Sequence, residues 1–357
     1  AIGRSAGRDI TTGIRNSIVG ALAGDALTDA DFNVAMGYQA LSTDTQGSRS
    51  VALGYNALST QNFTSATDSL NVAVGYSSGS AVTTGTNNTF VGGESGSAVT
   101  TGEKNVALGY QALTTNVAGD QAVAIGHEAL KVANPSGNAN LNDTAVGFQA
   151  GVACTTGIKN VFIGSTTGYN LTTGSTNIYV GYNSTASAVD ITNEIVIGSN
   201  AAGGGTNTVR FQTTGGSATL GLDGSDTSWA AASDSRLKKD VASSTVGLEF
   251  IKDLRPVTFK WNAKNAVANS LPQYDADSSD PVFGEGKAHH GFIAQEVKTV
   301  IDAHSDVVNG HNLWSVDPDG TQQVSPSALV PMLTKAIQEL SEKNDALEAR
   351  LAALEAK

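Results

Sequence analysis

The fold is decided by a short motif, NVALGYQAL at residues 105–113, which returns in varied form along the first two hundred residues. Its glycine keeps a fixed place, and successive glycines are separated by 17, 17, 17 and then 21 residues, in an order that repeats. We call these the ruler glycines: Gly3, Gly20, Gly37, Gly54, Gly75, Gly92, Gly109, Gly126, Gly147, Gly164, Gly181 and Gly198. Such a period is typical of a solenoid, in which each repeat buries its apolar face on the next.

Each copy of the motif predicts a short strand that ends at the glycine. The triplet Val51-Ala52-Leu53 alternates apolar and small residues, as a strand does. Segments such as Thr100-Thr101-Gly102 have the composition of turns. One rung supplies about two or three inward apolar side chains, too few to offset ordering its residues at roughly 1–2 kcal/mol each. We therefore expect one rung per interval, the extra four residues in loops, and a rod on the order of 60 Å long.

The rung motif resembles the head repeats of trimeric autotransporter adhesins, and similar repeats occur in phage tail fibres. The resemblance rests on Val-Ala-aliphatic-Gly-Tyr with trailing Ala-Leu and covers residues 1–201. It implies a mainly β fold, a trimeric left-handed parallel β-roll. Three associated chains would also cover exposed sheet edges, whereas the alternative is a monomeric solenoid. Because Ala1 stands inside a rung, we expect the chain to be the distal part of a longer protein.

Composition restricts the partners. The net charge of −12 disfavours nucleic acid and anionic membranes as partners. The single cysteine, Cys154, excludes an intrachain disulfide and suggests an inert thiol. No run of 18 apolar residues occurs, so no membrane insertion is expected. Charged residues become common from about Ser233, which predicts a domain boundary there.

The segment Ala232-Ser233-Asp234-Ser235-Arg236-Leu237-Lys238 places a hydroxyl five residues before an amine. A serine is a weak nucleophile unless a neighbouring base takes its proton. A lysine serves as that base only where burial or a nearby cation favours its neutral form. By spacing alone, a solvated polar turn is the favoured interpretation of the segment, because serine and lysine are common.

Four motifs in order change this interpretation, because together they resemble the intramolecular chaperone domain of phage endosialidases and tail fibres. They are Ser-Asp-x-Arg-x-Lys at 233–238, LRPVTFKW at 254–261, GFIAQEV at 291–297 and LVPMLTKAIQEL at 329–340. The resemblance implies a small α+β domain that trimerises, folds the β-fibre before it, and then cuts itself off. It assigns Ser233 as nucleophile, Lys238 as general base and Ala232–Ser233 as the scissile bond, with Asp234 and Arg236 in supporting, positioning roles.

The C-terminal residues predict a coiled-coil helix. Heptad a positions carry Val330, Ile337, Asn344 and Leu351, and d positions carry Leu333, Leu340, Leu347 and Leu354. The heptads alone leave dimer and trimer open, and the two resemblances favour a trimer. The predicted domains are a solenoid at 1–201, a β-rich transition at 202–232, the chaperone at 233–328 and the helix at 329–357.

No cofactor or metal site is predicted. His289-His290 lack further ligands at supporting spacing and suggest structural histidines. Asp275, Asp277 and Asp280 lack the spacing and terminal glutamate of a calcium loop, so they indicate a solvated loop.

These observations predict the distal part of a phage tail fibre or spike for attachment to the host surface. Expected partners are its own chain in a homotrimer, a host glycan or protein receptor, and upstream fibre or tail proteins. Its expected location is the virion, and the host cytoplasm during assembly. The alternatives are a bacterial trimeric adhesin or filament that keeps its chaperone, disfavoured by the helical C-terminus, and a glycan-cleaving enzyme, disfavoured because the rod lacks paired carboxylates.

Overall fold

The computed structural model describes the chain apart from residues 138, 223–229, 232, 285, 308–311, 318 and 357. The chain divides into two compact units, Ala1–Asp234 and Ser235–Lys357. The first unit contains almost only strands and turns, and the second combines helices with two short antiparallel strand pairs.

Twenty strands and three α-helices occur in the described part of the chain. The strands β1–β20 are Ser17–Val19, Val34–Met36, Gly47–Ser48, Val51–Leu53, Thr67–Asp68, Val72–Val74, Thr89–Val91, Val106–Leu108, Val123–Ile125, Thr144–Val146, Val161–Ile163, Ile178–Val180, Glu194–Ile197, Thr208–Thr213, Gly216–Gly221, Ala230–Ala231, Val257–Phe259, His289–Gly291, Trp314–Val316 and Gln322–Val324. The helices α1–α3 are Leu248–Asp253, Ala294–Ala303 and Val330–Glu355. Short 3₁₀ turns are Ser235–Leu237, Lys264–Ala266 and Pro326–Leu329.

The first unit is a parallel β-solenoid. One residue triplet of each rung pairs with the same triplet of the next, so that Val34 lies opposite Val51 and Val51 opposite Val72. The parallel order continues to β14, after which β15 and β16 add antiparallel strands. The predicted solenoid with one rung per interval is confirmed.

The ruler glycines stack along the solenoid. Their φ angles lie between +129° and +143°, a backbone conformation that side chains oppose. A Cβ atom on Gly109 would lie 2.5 Å from the carbonyl oxygen of Gly126, and the same close approach recurs from rung to rung. Only glycine therefore fits at these positions.

The solenoid core is narrow, and two columns of inward residues fill it. A large side chain in one column lies against small residues in the other. The middle residue of each strand faces inward, and its neighbours face outward. In four alanine rungs, such as that of Ala107, a buried leucine lies four residues after the ruler glycine. Where the inward residue is Phe90, that position holds Gly79 in one rung and Gly96 in the next, and both lie against the ring. Close packing of this kind tolerates exchange only at conserved volume.

The longer intervals place their extra residues in turns. The amide of Asn62 still donates to the carbonyl of Thr83, and that of Asn134 to Thr155, across an offset of 21 residues. The insertions therefore begin after these asparagines, as expected from the spacing. Asn138, in the second insertion, lies outside the described residues.

A column of buried asparagines holds successive rungs in register. The Asn88 side-chain oxygen accepts a hydrogen bond from the Asn105 amide, and the Asn88 Nδ2 donates to the carbonyl of Gly102 at 2.9 Å. Most members of this column repeat both bonds. Asp143 stands in the column between Ala122 and Asn160, at a place where most rungs have asparagine, and its carboxylate accepts from the Asn160 amide.

The second unit has its own apolar core. Phe250 of α1 and Ile301 of α2 are fully or almost fully buried there, together with Leu313 and Leu329. The Leu248 amide, at the start of α1, donates to Glu339 of α3 at 2.9 Å, which fixes the two helices against each other. No helix in the described residues combines the length and apolar character that crossing a membrane requires.

Candidate functional site

The predicted cleavage segment joins the two units. Ser233 and Asp234 are the last residues of the first unit, and both are exposed. Arg236 lies in the 3₁₀ turn Ser235–Leu237, and the Lys238 amide donates to the Ser235 carbonyl at 3.1 Å. Arg236 and Lys238 are exposed as well. Ala232, on the other side of the predicted scissile bond, lies outside the described residues, so the Ser–Lys assignment stays a prediction.

The second and third sequence motifs meet in the second unit. Strands β17 and β18 pair antiparallel, with Phe259 opposite His289. Beyond this pair, Arg255 and Glu296 form a two-pronged ion pair, in which Nε donates to Oε2 at 2.9 Å and Nη2 donates to Oε1. The guanidinium lowers the pKa of Glu296 below its usual value through these hydrogen bonds. The pair thus fixes α2 to the segment before β17.

The fourth motif joins the same core. Leu329, at its first position, is buried with Val297 and Ile301 of α2. Three of the four motifs therefore form one packed structure, whereas the first lies in the segment that precedes it.

His289 packs among aromatic rings. His289 stacks on Phe259 with 5.7 Å between ring centroids and lies beside Trp261. Within the described residues, no group of three histidine, cysteine, aspartate or glutamate side chains is placed to hold a metal ion. The carboxylate loop at Asp275 is exposed, and the Asp275 side chain accepts from the amide of Asp277.

Cys154 is buried in the solenoid, and burial raises the pKa of its thiol. A thiol is reactive as thiolate, so the structure agrees with an inert cysteine.

Helix α3 exposes most of its apolar heptad row. Leu340, Leu347 and Leu354 are 56, 60 and 68% exposed in the single chain. Ala336 is the buried residue of the helix in its described part. Such a row is what a coiled-coil partner covers.

Two features were not identified by sequence reasoning. The Arg255–Glu296 pair joins motifs 41 residues apart, and no spacing rule predicts that contact. The second is a column of exposed aromatic side chains, one residue after several ruler glycines, that stack from rung to rung. Its signal was present in the repeat, because the aromatic residue keeps the same offset from the glycine.

Comparison with known proteins bears on one part of the chain. No curated protein and no solved structure matches the sequence. The family model described as chaperone of endosialidase matches residues 233–306, so it is the segment beginning at Ser233 that carries the features of this chaperone family.

Proposed function

We propose that this chain is part of a trimeric phage fibre whose C-terminal unit assembles the β-solenoid and then cuts itself off before Ser233. The observation that carries the proposal is the position of the chaperone-family match, which begins at Ser233, directly after a long parallel β-structure. The fibre attaches to the host surface and joins upstream tail proteins. It belongs to the virion and assembles in the host cytoplasm.

Two exposed apolar surfaces support association of three chains. The α3 row is one of them, with Leu347 at its centre. The other is the outward face of the solenoid strands, where Met36, Leu108 and Ile163 are 44, 47 and 43% exposed. Soluble monomers rarely leave long apolar surfaces uncovered.

A C-terminal nucleus solves a folding problem. Parallel strands form only after non-local contacts, which makes such sheets slow to fold and prone to mispairing. Helices form from local contacts, so α3 can bring three chains into register before the rungs pair. Loss of the chaperone afterwards removes the route for refolding and makes the fibre kinetically stable.

The cleavage is an acyl shift followed by hydrolysis. Ser233 Oγ attacks the carbonyl carbon of Ala232 while Lys238 takes the hydroxyl proton. The Oγ–carbon bond forms, the peptide C–N bond breaks, and the proton passes to the released amine of Ser233. Water then hydrolyses the ester, which leaves the carboxylate of Ala232 and restores the serine hydroxyl.

Assembly has to precede this chemistry. Ser233 and Lys238 are exposed in the single chain, whereas a lysine acts as a general base only where its surroundings favour the neutral form. Burial in the assembled trimer favours the neutral amine that the reaction needs. Each chain therefore cuts once, after it has folded.

The test is intact mass and denaturing electrophoresis of purified protein, with and without boiling. We expect cleavage between residues 232 and 233 in the wild type, and none in Ser233→Ala, Lys238→Ala or Lys238→Arg, since a guanidinium does not release its proton in this range. Ser235→Ala and Lys239→Arg are matched controls that should cleave normally. A wild-type chain that forms trimers yet stays full length would contradict the cleavage and leave a filament with a retained chaperone.

A further inference from the structure

One column of the solenoid surface carries aromatic rings that stack on each other. The residue directly after each ruler glycine occupies this column. Tyr38, Tyr55 and Tyr76 form one stack, with centroid distances of 5.5 and 5.3 Å. Tyr110 and its two successors form a second run of rings, in which the first contact is tilted by 35° at 5.4 Å and the second is stacked at 5.3 Å. Those two successors are His127 and Phe148.

The two stacks are separated by a single rung that has no side chain, Gly93. A Cβ atom at Gly93 would lie 3.4 Å from Cδ2 of Tyr110, so the Tyr110 ring lies over this glycine. On the other side of Gly93, the preceding rung carries Tyr76, which is 58% exposed. Two strand spacings place the flanking rings about 10 Å apart, which leaves room for one ring about 5 Å from each. We call this space the Gly93 gap.

The gap differs from the stacks in what it offers a ligand. Tyr76 stacks on Tyr55 with an angle of 10° between the ring planes, and the rung that follows, Gly93, supplies no ring for its other face. Tyr110 has His127 on one side and Gly93 on the other. Ring faces attract polarised C–H and N–H groups because the π system carries a negative face.

A carboxylate lies beside the gap. Glu94 follows Gly93 and is half-buried, and its Oε2 accepts a hydrogen bond from Gln111 Nε2 at 2.7 Å. In the equivalent pair two rungs on, the His127 ring lies 3.8 Å from the Glu128 carboxylate. The residue in the aromatic column and the acidic residue after it are therefore within reach of each other. A carboxylate retains capacity for further hydrogen-bond donors after accepting one.

We infer that the Gly93 gap is a binding subsite for a neutral hexopyranose ring of a glycan. The sugar's C–H faces lie between Tyr76 and Tyr110, and its hydroxyls donate to Glu94. The carboxylate disfavours phosphate and acidic sugars, because like charges repel. This inference gives a place and a ligand class to the attachment role proposed above, and it rests on that role.

A second interruption of the column provides an internal control. Ser165 lies between Phe148 and Tyr182, so aromatic residues again stand on both sides. Here the residue in the column is serine instead of glycine, and the next residue is Thr166 instead of a glutamate. The carboxylate that would accept sugar hydroxyls is absent at this position.

The experiment measures binding of methyl β-D-glucopyranoside, methyl β-D-galactopyranoside, methyl α-D-mannopyranoside and methyl N-acetyl-β-D-glucosaminide to the purified full chain. Saturation-transfer NMR detects contact with the protein, and calorimetry gives the affinity, which we expect on the order of 1 mM for a single ring. An array of neutral and acidic glycans extends the panel. The variants are Gly93→Tyr, which completes the stack, Tyr110→Ala, and the matched control Ser165→Tyr.

We expect at least one neutral sugar to bind the wild type and Ser165→Tyr alike, Gly93→Tyr to abolish binding, and Tyr110→Ala to weaken it at least tenfold. The backbone at Gly93 does not have positive φ, so tyrosine fits there as it does in other rungs. Absence of binding by every neutral glycan, unchanged binding by Gly93→Tyr, or loss of binding only in Ser165→Tyr would overturn the inference. Cleavage and trimer formation, read by mass and electrophoresis on the same samples, report separately on the proposed function.

Discussion

Asp143 allows a quantitative test of the asparagine column. It occupies a place where other rungs use Nδ2 of asparagine to donate to a glycine carbonyl 14 residues later, at 2.7–3.0 Å. For residue 143 that carbonyl belongs to Gly157. The carboxylate Oδ1 accepts from the Asn160 amide, while Oδ2 is buried without a hydrogen-bond partner in the described structure. An ionised carboxylate has no proton to donate to Gly157.

Burial raises the pKa of Asp143 from 3.8 to about 7, and the hydrogen bonds from Asn160 oppose that rise. The folded state therefore holds a proton that the unfolded state has released between these two values. Because the folded pKa is raised, the contribution of Asp143 to stability is largest below pH 4 and is lost as pH rises to about 7. The difference of about three units between the two pKa values corresponds to a stability contribution of about 4 kcal/mol in total. The buried Cys154 thiol interacts electrostatically with Asp143, and because its pKa is also raised it stays neutral across this range.

Asp143→Asn should remove this dependence. It restores a donor for Gly157, worth about 1 kcal/mol, and removes the buried charge. From pH 5.5 to 8.0, the stability advantage of the variant over the parent should grow by about 2 kcal/mol. The assay is urea unfolding followed by circular dichroism, with Ser233→Ala in both chains so that the chaperone stays attached and refolding remains possible.

Asn88→Asp is the converse control. The substitution removes the Nδ2 donor that bonds to the Gly102 carbonyl at 2.9 Å, and the variant should acquire the pH dependence that Asp143→Asn loses. If the stability difference between Asp143→Asn and its parent were the same at pH 5.5 and at pH 8.0, the reasoning would be refuted, because a buried carboxylate that ionises between these values must make stability depend on pH.

Two further predictions concern the solenoid and the helix. Gly109→Ala should destabilise the rod by at least about 3 kcal/mol, because residue 109 has positive φ and the added Cβ would clash with the Gly126 carbonyl. Gly93→Ala should stay within about 1 kcal/mol of the wild type. Equal urea midpoints for the two variants would contradict the stacked-glycine geometry. Leu347→Asp should abolish the trimers seen by sedimentation, because burying three charges costs several kcal/mol each. Ala346→Asp, one residue off the apolar row, should leave trimers intact. Sedimentation of the wild type as a monomer would disprove the trimer.

The repeat itself was readable from the sequence because its period is fixed by covalent spacing. Each ruler glycine must meet the backbone of the next rung, so any change in spacing would break the stack. That requirement made the solenoid, its register and the position of the insertions predictable before any coordinates were known. The chaperone segment was readable for a different reason, since four motifs occur in the order that its family uses.

What the spacing left open was which side chains meet. The large ring of Phe90 lies against two glycines of other rungs, Gly79 and Gly96. No local sequence rule pairs these residues. The Arg255–Glu296 ion pair likewise depends on how β17 approaches α2.

The sequence by itself determined that this protein is a stacked β-rod with a chaperone-like segment after it, because period and motif order are properties of the chain. The tertiary structure alone decided that Asp143 has a buried oxygen without a donor in the described residues, and that the aromatic rings before and after Gly93 contact their neighbours in the column. Both depend on contacts between residues about one rung apart, where side chains meet only after the chain has wound once around the solenoid. Position along the chain does not specify such contacts, since burial and ring stacking arise from packing in three dimensions.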